Sequence, residues 1–164
     1  MKTIMGVDPG AKGAFAFIKD SFDPVVFDYT DDLELIKNII LTVKPDVCYL
    51  EKVHSMPGQG VVGVFGFGVN YGTWKGLLAG VCPVIDVSPK KWQKELNIIP
   101  EKLETKNIIG RELNRVKAVN KRMRKEASLN LARQKFPHLE LHLKKHEGRA
   151  EALLITLFGK IKES

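Results

Sequence analysis

The order of apolar and polar segments predicts an α/β protein: a mixed five-stranded sheet with helices packed against it. Three short β-prone segments, residues 3–8, 14–18 and 24–29, follow one another across short connections, which predicts an antiparallel meander. A helix–strand–helix–strand order comes next, with strands at residues 47–50 and 84–87. Parallel strands joined by crossover helices have this order, so we expect a sheet with an antiparallel half and a parallel half.

The spacing of apolar side chains predicts the helices. Over residues 31–43 these side chains recur every three or four positions, and Pro45 lies just beyond the end of the pattern. Residues 55–72 contain six glycines and predict a mobile loop instead. Further helices are predicted at residues 71–79, 89–96, 122–136 and 149–160, and Pro137 ends the third of them.

Length and composition indicate one globular domain over residues 1–164. The chain has a mass of 18.4 kDa, with 44% hydrophobic and 27% charged residues. No apolar run approaches the roughly 18 residues of a membrane span, and the first residues lack the pattern of a signal peptide. Cys48 and Cys82 both lie in apolar runs, where reduced and buried thiols are expected. These features predict a cytoplasmic protein without a disulfide framework.

The net charge of +7 is concentrated in one stretch of the chain. Residues 90–149 contain 17 Lys and Arg against 7 Asp and Glu, whereas residues 1–89 contain 7 against 10. A concentrated positive field is typical of a protein that binds a polyanion, most often a nucleic acid. A solvated helical surface is the alternative, and the charge pattern alone does not separate the two.

Four acidic residues stand where two strands end and where the last helix begins. Asp8 ends the first strand before a Pro-Gly turn, and Glu51 ends a later apolar strand. Glu147 and Glu151 are four residues apart and therefore share one face of a helix. If the four carboxylates converge, they form the hard oxygen-ligand set that suits Mg²⁺ or Mn²⁺. Taken singly, Asp8 is also consistent with a turn cap, Glu51 with a solvated strand end, and the pair Glu147 and Glu151 with an exposed acidic turn at a helix N-terminus.

Several segments of the chain, taken in order, resemble the RuvC-like Holliday junction resolvases, in particular those of bacteriophages and prophages. The segments are Gly6-Val7-Asp8-Pro9-Gly10, the strand-end Glu51, Gly72-Thr73-Trp74-Lys75-Gly76-Leu77-Leu78, Val87-Ser88-Pro89-Lys90-Lys91-Trp92, Lys125-Glu126-Ala127-Ser128 with Phe136-Pro137, and Arg149-Ala150-Glu151-Ala152-Leu153-Leu154. The resemblance covers most of the chain except about residues 97–123. These are longer and more basic than in the family, and we expect them to form a basic helical insertion or arm.

The resemblance implies an RNase H-like fold, a homodimer, and two-metal hydrolysis of phosphodiesters in four-way branched DNA. It implies that Asp8, Glu51, Glu147 and Glu151 are the catalytic metal ligands for two Mg²⁺ ions per active site, with Mn²⁺ as a substitute. The last motif departs from the family, whose cellular enzymes usually place two Asp three residues apart. Here Gly148 stands three residues before Glu151, so Glu147 takes that ligand's place. A phage or prophage protein of the bacterial cytoplasm is expected, with no membrane and no nucleotide cofactor.

Candidate DNA contacts come from the basic stretch and the glycine-rich segment. Basic side chains bind phosphates, and exposed aromatic side chains stack on unpaired bases. The candidates are Lys90, Lys91, Lys94, Lys121, Arg122, Arg124, Lys125, Phe65, Phe67 and His54. For Phe65 and Phe67, packing in the core or in a dimer is an equally open alternative.

The leading interpretation is a crossover junction endodeoxyribonuclease, which resolves a four-way DNA junction by paired nicks. Two alternatives stay open: an RNase H-like nuclease of broader specificity that cuts flaps, forks or RNA, and a catalytically weak protein that only binds junctions. An actin-like kinase also begins with a strand-end Asp. That fold needs two lobes and a far longer chain.

Overall fold

Five strands form one mixed sheet in a computed structural model that describes residues 2–19, 23–52, 60–98, 100 and 102–164. The strands are β1 (Thr3–Asp8), β2 (Ala14–Lys19), β3 (Val25–Asp28), β4 (Val47–Glu51) and β5 (Val84–Val87). Their order across the sheet is β3-β2-β1-β4-β5. The β1–β2 and β2–β3 pairs are antiparallel, whereas the β1–β4 and β4–β5 pairs are parallel. The predicted fold class is therefore confirmed.

Five α-helices and a short 3₁₀ turn accompany the sheet in the described ranges. The helices are α1 (Leu33–Val43), α2 (Val61–Leu78), α3 (Pro89–Glu95), α4 (Gly110–Lys135) and α5 (Glu147–Glu163), and the turn is Lys144–His146. None of these helices is both long enough and apolar enough to cross a membrane.

The three central strands, β1, β2 and β4, are buried on both faces, because successive side chains point to opposite sides of the sheet and helices cover both sides. Ile4 and the alternate residues of β2 and β4 pack with α3, α4 and α5 in one core cluster. Met5 and the residues of β2 and β4 that point to the opposite face of the sheet pack with α1 and α2 in a second core cluster. Helix α5 lies so close to β1 that a side chain at Gly6 would meet the Ala152 carbonyl oxygen at 2.7 Å, so only glycine fits at this position. This close packing carries the N-terminal turns of α5 to the carboxyl edge of the sheet.

The prediction of a mobile loop over residues 55–72 is wrong for residues 61–72, which belong to helix α2. The remaining residues of that segment lie largely outside the described ranges. Glycine lowers helix propensity by roughly 1 kcal/mol per residue, which made this segment look unstructured. The helix is anchored at its other end by Trp74 and Leu78, which are fully buried in the core, and such packing outweighs local propensity.

Helix α4 is longer than the apolar spacing predicted, because it begins at Gly110 instead of residue 122. Its first half is rich in Arg and Lys, which favour helix, but its apolar stripe is sparse, consisting of Leu113, Val116 and Val119, none of which is fully buried. The preceding residues 102–109 contain neither helix nor strand. They are held to α4 by Asn120, whose amide accepts from the Leu103 N–H at 2.8 Å and donates to its carbonyl at 3.0 Å.

Candidate metal centre

Three acidic side chains meet at the carboxyl edge of the sheet. Asp8 ends β1 and Glu51 ends β4, and these strands are parallel neighbours, so their carboxyl ends lie side by side. Glu151 comes from the second turn of α5, between the buried Ala150 and Ala152. One carboxylate oxygen from each of the three acids lies within 4.8 Å of the other two. We call this group the acid cluster: Asp8, Glu51 and Glu151.

Neighbouring groups hold two of the acid cluster's side chains in place. The Gly10 backbone N–H donates to Asp8 Oδ1 at 3.1 Å, within the turn that follows β1. The Trp92 indole N–H donates to Glu51 Oε1 at 2.9 Å. Each of these carboxylates therefore keeps a second oxygen that these hydrogen bonds do not use.

Burial and mutual repulsion make the acid cluster costly to ionise in the protein alone. Burial raises the pKa of Asp8, although the Gly10 hydrogen bond and Lys125 act against it. Burial and the nearby Asp8 charge raise the pKa of Glu51 to about 7. Burial, Asp8 and Glu51 together raise the pKa of Glu151 well above its usual range. Three crowded carboxylates with few donors are chemically suited to a divalent cation with hard oxygen ligands, which would offset this repulsion.

The raised pKa values predict how stability depends on pH when no metal is added. The pKa of Glu51 is about 7 in the folded protein, whereas the ordinary value of a glutamate, which applies in the unfolded chain, is about 4.5. The folded state thus binds more protons than the unfolded state across that interval, and stability falls as pH rises through it. We expect a lower Tm at about pH 8 than at about pH 5.5 in the presence of a chelator.

Added Mg²⁺ is expected to raise the Tm at the higher pH and to have little effect at the lower one, because protonated carboxyls are poor ligands. Differential scanning calorimetry at both pH values tests this. The Glu51→Gln variant should lose part of the pH dependence, and Glu126→Gln, an exposed neighbour on α4, should keep it all. Equal Mg²⁺ effects at both pH values would contradict the prediction.

The fourth predicted acid, Glu147, lies outside the acid cluster. Its Oε2 accepts from Lys125 Nζ of α4 at 2.9 Å. Burial alone would lower the pKa of Lys125, but the Glu147 hydrogen bond and the surrounding carboxylates raise it, so the ammonium stays charged. Lys125 thus brings one positive charge to the edge of the acid cluster. The metal-ligand role of Glu147 stays a prediction.

A cavity of about 830 Å³ opens over the acid cluster. In the described part of the chain, its lining combines the acids with basic and aromatic side chains. These side chains come from the turn after β1, from α2, from α4 and from the 3₁₀ turn: Lys12, Phe67, Lys121, Arg124, Lys125, Lys144 and Lys145. An anionic floor beneath a cationic rim can hold a divalent ion and the phosphates of a polyanion at the same time.

The structure brings some of the predicted DNA contacts to this cavity and leaves others elsewhere. Lys121, Arg124, Lys125 and Phe67 line the cavity. Five other candidates are not among the described residues that line the cavity: Lys90, Lys91, Lys94, Arg122 and Phe65. His54 lies outside the described residues.

Sequence reasoning missed several cavity residues. Lys144 and Lys145 stand next to each other just before the last helix, and this adjacency was the available signal. Lys12 had none beyond its position in the turn after β1. Trp92 lies outside the described lining of the cavity, and the sequence carries no signal for its contact with Glu51, because the two residues are 41 positions apart.

The fold is that of the RuvC-like resolvases. The chain is similar to Thermus thermophilus RuvC, solved in complex with a Holliday junction substrate, with a TM-score of 0.58 and 12% identity over 98% of this chain and 96% of that one. It is also similar to the Fowlpox virus resolvase, solved with substrate Holliday junction DNA, with a TM-score of 0.53 and 18% identity over 97% and 98%. These structures share the fold class that the sheet topology defines.

A sequence relative comes from an alga. The chain is 31% identical over 114 residues to the chloroplastic Holliday junction resolvase MOC1 of Chlamydomonas reinhardtii. The match takes in 68% of this chain and 10% of that protein, so the chain spans about a tenth of this relative's length. No family model matches the chain. The expected phage or prophage origin stays a prediction, since this relative is a chloroplast protein.

Proposed function

We propose that the chain is a divalent-metal-dependent endonuclease that resolves four-way DNA junctions by paired nicks. The observation that carries the proposal is the acid cluster at the floor of a cavity with a basic rim. The RuvC-like fold and the resolvase relative support the same conclusion. We propose Mg²⁺ as the natural ion, two per site, with Mn²⁺ as a substitute.

Asp8, Glu51 and Glu151 would hold the metal, and Glu147 would join them once Lys125 is released. Bound Mg²⁺ supplies Lewis-acid activation of water and stabilises the leaving oxygen. The chain's own part is to orient these carboxylates and to hold the scissile phosphate above them. Lys121, Arg124 and Lys125 are suited to bind phosphate oxygens next to the cluster. Phe67 is 44% exposed at the cavity, where its ring is available to stack on an unpaired base.

The basic half of α4 extends the proposed DNA-binding surface. Lys117, Lys121 and Arg124 recur at helical spacing, so a basic stripe leads along α4 to the cavity. We propose that this stripe follows the phosphate backbone of a DNA arm leaving the junction, as part of one nuclease domain over residues 1–164. Lys90, Lys91, Lys94 and Arg122 would then add phosphate contacts outside the cavity.

Cleavage of a synthetic four-way junction tests the proposal directly. The junction is compared with a linear duplex, a flap and an RNA–DNA hybrid at equal concentration, each with Mg²⁺, with Mn²⁺ and with chelator. We expect symmetric nicks on the junction that need the metal. Equal cutting of the flap or the hybrid would favour a broader RNase H-like nuclease. Junction binding without cutting under either metal would favour a binding protein.

The exposed face of helix α2 supports a homodimer. Val61, Val62 and Phe65 are 84%, 87% and 73% exposed, and Val69 lies one turn further along. Apolar side chains gathered on one exposed helix face mark an interaction surface. A two-fold axis through this face would pair two acid clusters, which matches the pseudo-symmetry of a four-way junction. We propose a second copy of the chain as the occupant.

Replacing Phe65 with Glu is expected to shift the protein from dimer to monomer, because the change buries a charge in the proposed interface. Sedimentation velocity measures the shift, and we expect at least about a tenfold weaker association. Leu41→Glu, at an exposed apolar position of α1, is the matched control and should leave association unchanged. A monomeric wild-type protein would contradict the dimer proposal.

A further inference from the structure

Helix α3 places an indole directly beneath one acid of the cluster. Trp92 is fully buried in the core, and its Nε1–H donates to Glu51 Oε1 at 2.9 Å. The placement follows from the sheet, because α3 begins two residues after β5 ends. Strand β5 pairs with β4 so that Val87 lies opposite Glu51. The indole therefore reaches Glu51 from a rigid, buried support.

A glutamate side chain needs such a support more than an aspartate does. It has one more rotatable bond than Asp8, so its carboxylate has more orientations to lose when a metal binds. A hydrogen bond to Oε1 selects one of these orientations and leaves Oε2 available as a ligand. Partners that orient metal ligands in this way typically contribute 10–100-fold to metal affinity.

We propose that Trp92 is a positioning residue that orients Glu51 for metal binding, an inference that rests on the proposed metal-dependent function. Trp92 itself does not touch the reacting groups in this assignment. Trp92 acts through Glu51 alone.

The chain contains its own matched control in its second tryptophan. Trp74 of α2 is as fully buried as Trp92, and its ring packs 5.2 Å from that of Phe15. Its indole N–H has no hydrogen-bond partner within the part of the chain that the structure describes. Trp→Phe at either position removes a similar buried volume, but only at residue 92 does it remove a donor to an acid of the cluster.

The experiment measures Mn²⁺ binding to the full chain by isothermal titration calorimetry at about pH 8, in the wild type and in Trp92→Phe, Trp74→Phe and Glu51→Gln. We expect Trp92→Phe to weaken Mn²⁺ binding about tenfold or more. Trp74→Phe should bind Mn²⁺ as the wild type does, despite a comparable loss of thermal stability. The metal concentration for half-maximal junction cleavage should rise in Trp92→Phe, while the rate at saturating metal changes less.

A second substitution separates the hydrogen bond from packing. Benzothienylalanine at position 92 keeps the shape of tryptophan but replaces its N–H with sulfur, and we expect it to weaken Mn²⁺ binding as Trp92→Phe does. If the variant with benzothienylalanine binds Mn²⁺ with wild-type affinity, the inference is wrong. Because benzothienylalanine keeps the shape of the side chain, this variant also tests the inference if Trp92→Phe does not fold. If Glu51→Gln weakens binding and Trp92→Phe does not, only the positioning role is wrong. If Glu51→Gln leaves binding intact, the proposed metal centre itself is wrong.

Discussion

The Asp8→Asn variant is expected to bind four-way junctions normally and to have almost no cleavage activity. Asparagine has nearly the shape of aspartate, so the turn after β1 keeps its geometry. The variant lacks the negative charge that makes Asp8 a strong ligand for a hard cation. The phosphate-binding side chains above the cluster are unchanged, and one fewer negative charge near the DNA favours binding.

The expected loss of activity is large because the metal stabilises charge in the transition state. If about 4 kcal/mol of that stabilisation is lost, cleavage slows roughly 1,000-fold. Single-turnover cleavage with saturating enzyme measures this loss, and a gel-shift titration in chelator measures junction binding. The metal-free variant should also be more stable than the wild type at about pH 8, because Asp8 is one cause of the raised pKa values of Glu51 and Glu151.

Asp31→Asn is the matched control, because Asp31 is exposed in the loop before α1 and does not belong to the cavity lining that the structure describes. It should cleave as the wild type does. Substantial cleavage by Asp8→Asn would remove Asp8 from the metal centre. Loss of both binding and cleavage would instead indicate that the variant is misfolded.

Replacing Gly148 with Ala is expected to destabilise the protein and to displace the acids of α5. The helix begins so close to the turn after β1 that a methyl carbon at Gly148 would lie 3.0 Å from the Gly13 Cα and against the Lys12 carbonyl oxygen. These are backbone atoms that cannot rotate away, so α5 must shift. Overpacking of this kind costs about 2–3 kcal/mol, which corresponds to a drop in Tm of roughly 5–10 °C.

Activity should fall as well, because Glu151 lies less than one helical turn beyond Gly148. A shift of about 1 Å at a catalytic group lowers the rate roughly 100-fold. Gly148→Asp restores the spacing of two acids three residues apart, yet it should be no more active than Gly148→Ala. The carboxylate would have no room at this position, because a Cβ atom there already meets backbone atoms of Lys12 and Gly13.

Thermal unfolding and junction cleavage of both Gly148 variants test this, with Gly68→Ala of α2 as the control. An added methyl at Gly68 meets no described atom within 4 Å, and alanine favours helix over glycine by up to about 1 kcal/mol. That variant should be at least as stable as the wild type. An active, stable Gly148→Asp would show that α5 can move back without cost.

Much of the fold was predictable because its elements are local patterns. Each of the five strands is a short apolar segment between turn residues, and helix α1 has regular apolar spacing. The first part of helix α2 was not predictable in this way, since its glycines oppose helix formation and the helix is anchored in the core by Trp74 and Leu78, which lie within the predicted helix at residues 71–79. The first half of α4 is rich in Arg and Lys but has only a sparse apolar stripe, so its helix was also missed.

The strand-end positions of Asp8 and Glu51 and the concentration of positive charge after residue 90 can be read from the sequence, because both are properties of neighbouring residues. Which acids meet depends on how the helices pack on the sheet. Glu151 joins Asp8 because α5 packs closely over Gly6, and Glu147 pairs with Lys125 because α4 lies beside α5. The contact between Trp92 and Glu51 likewise depends on the pairing of β4 with β5. Such contacts join residues far apart in the chain, and their geometry is set by the packing of the sheet and helices.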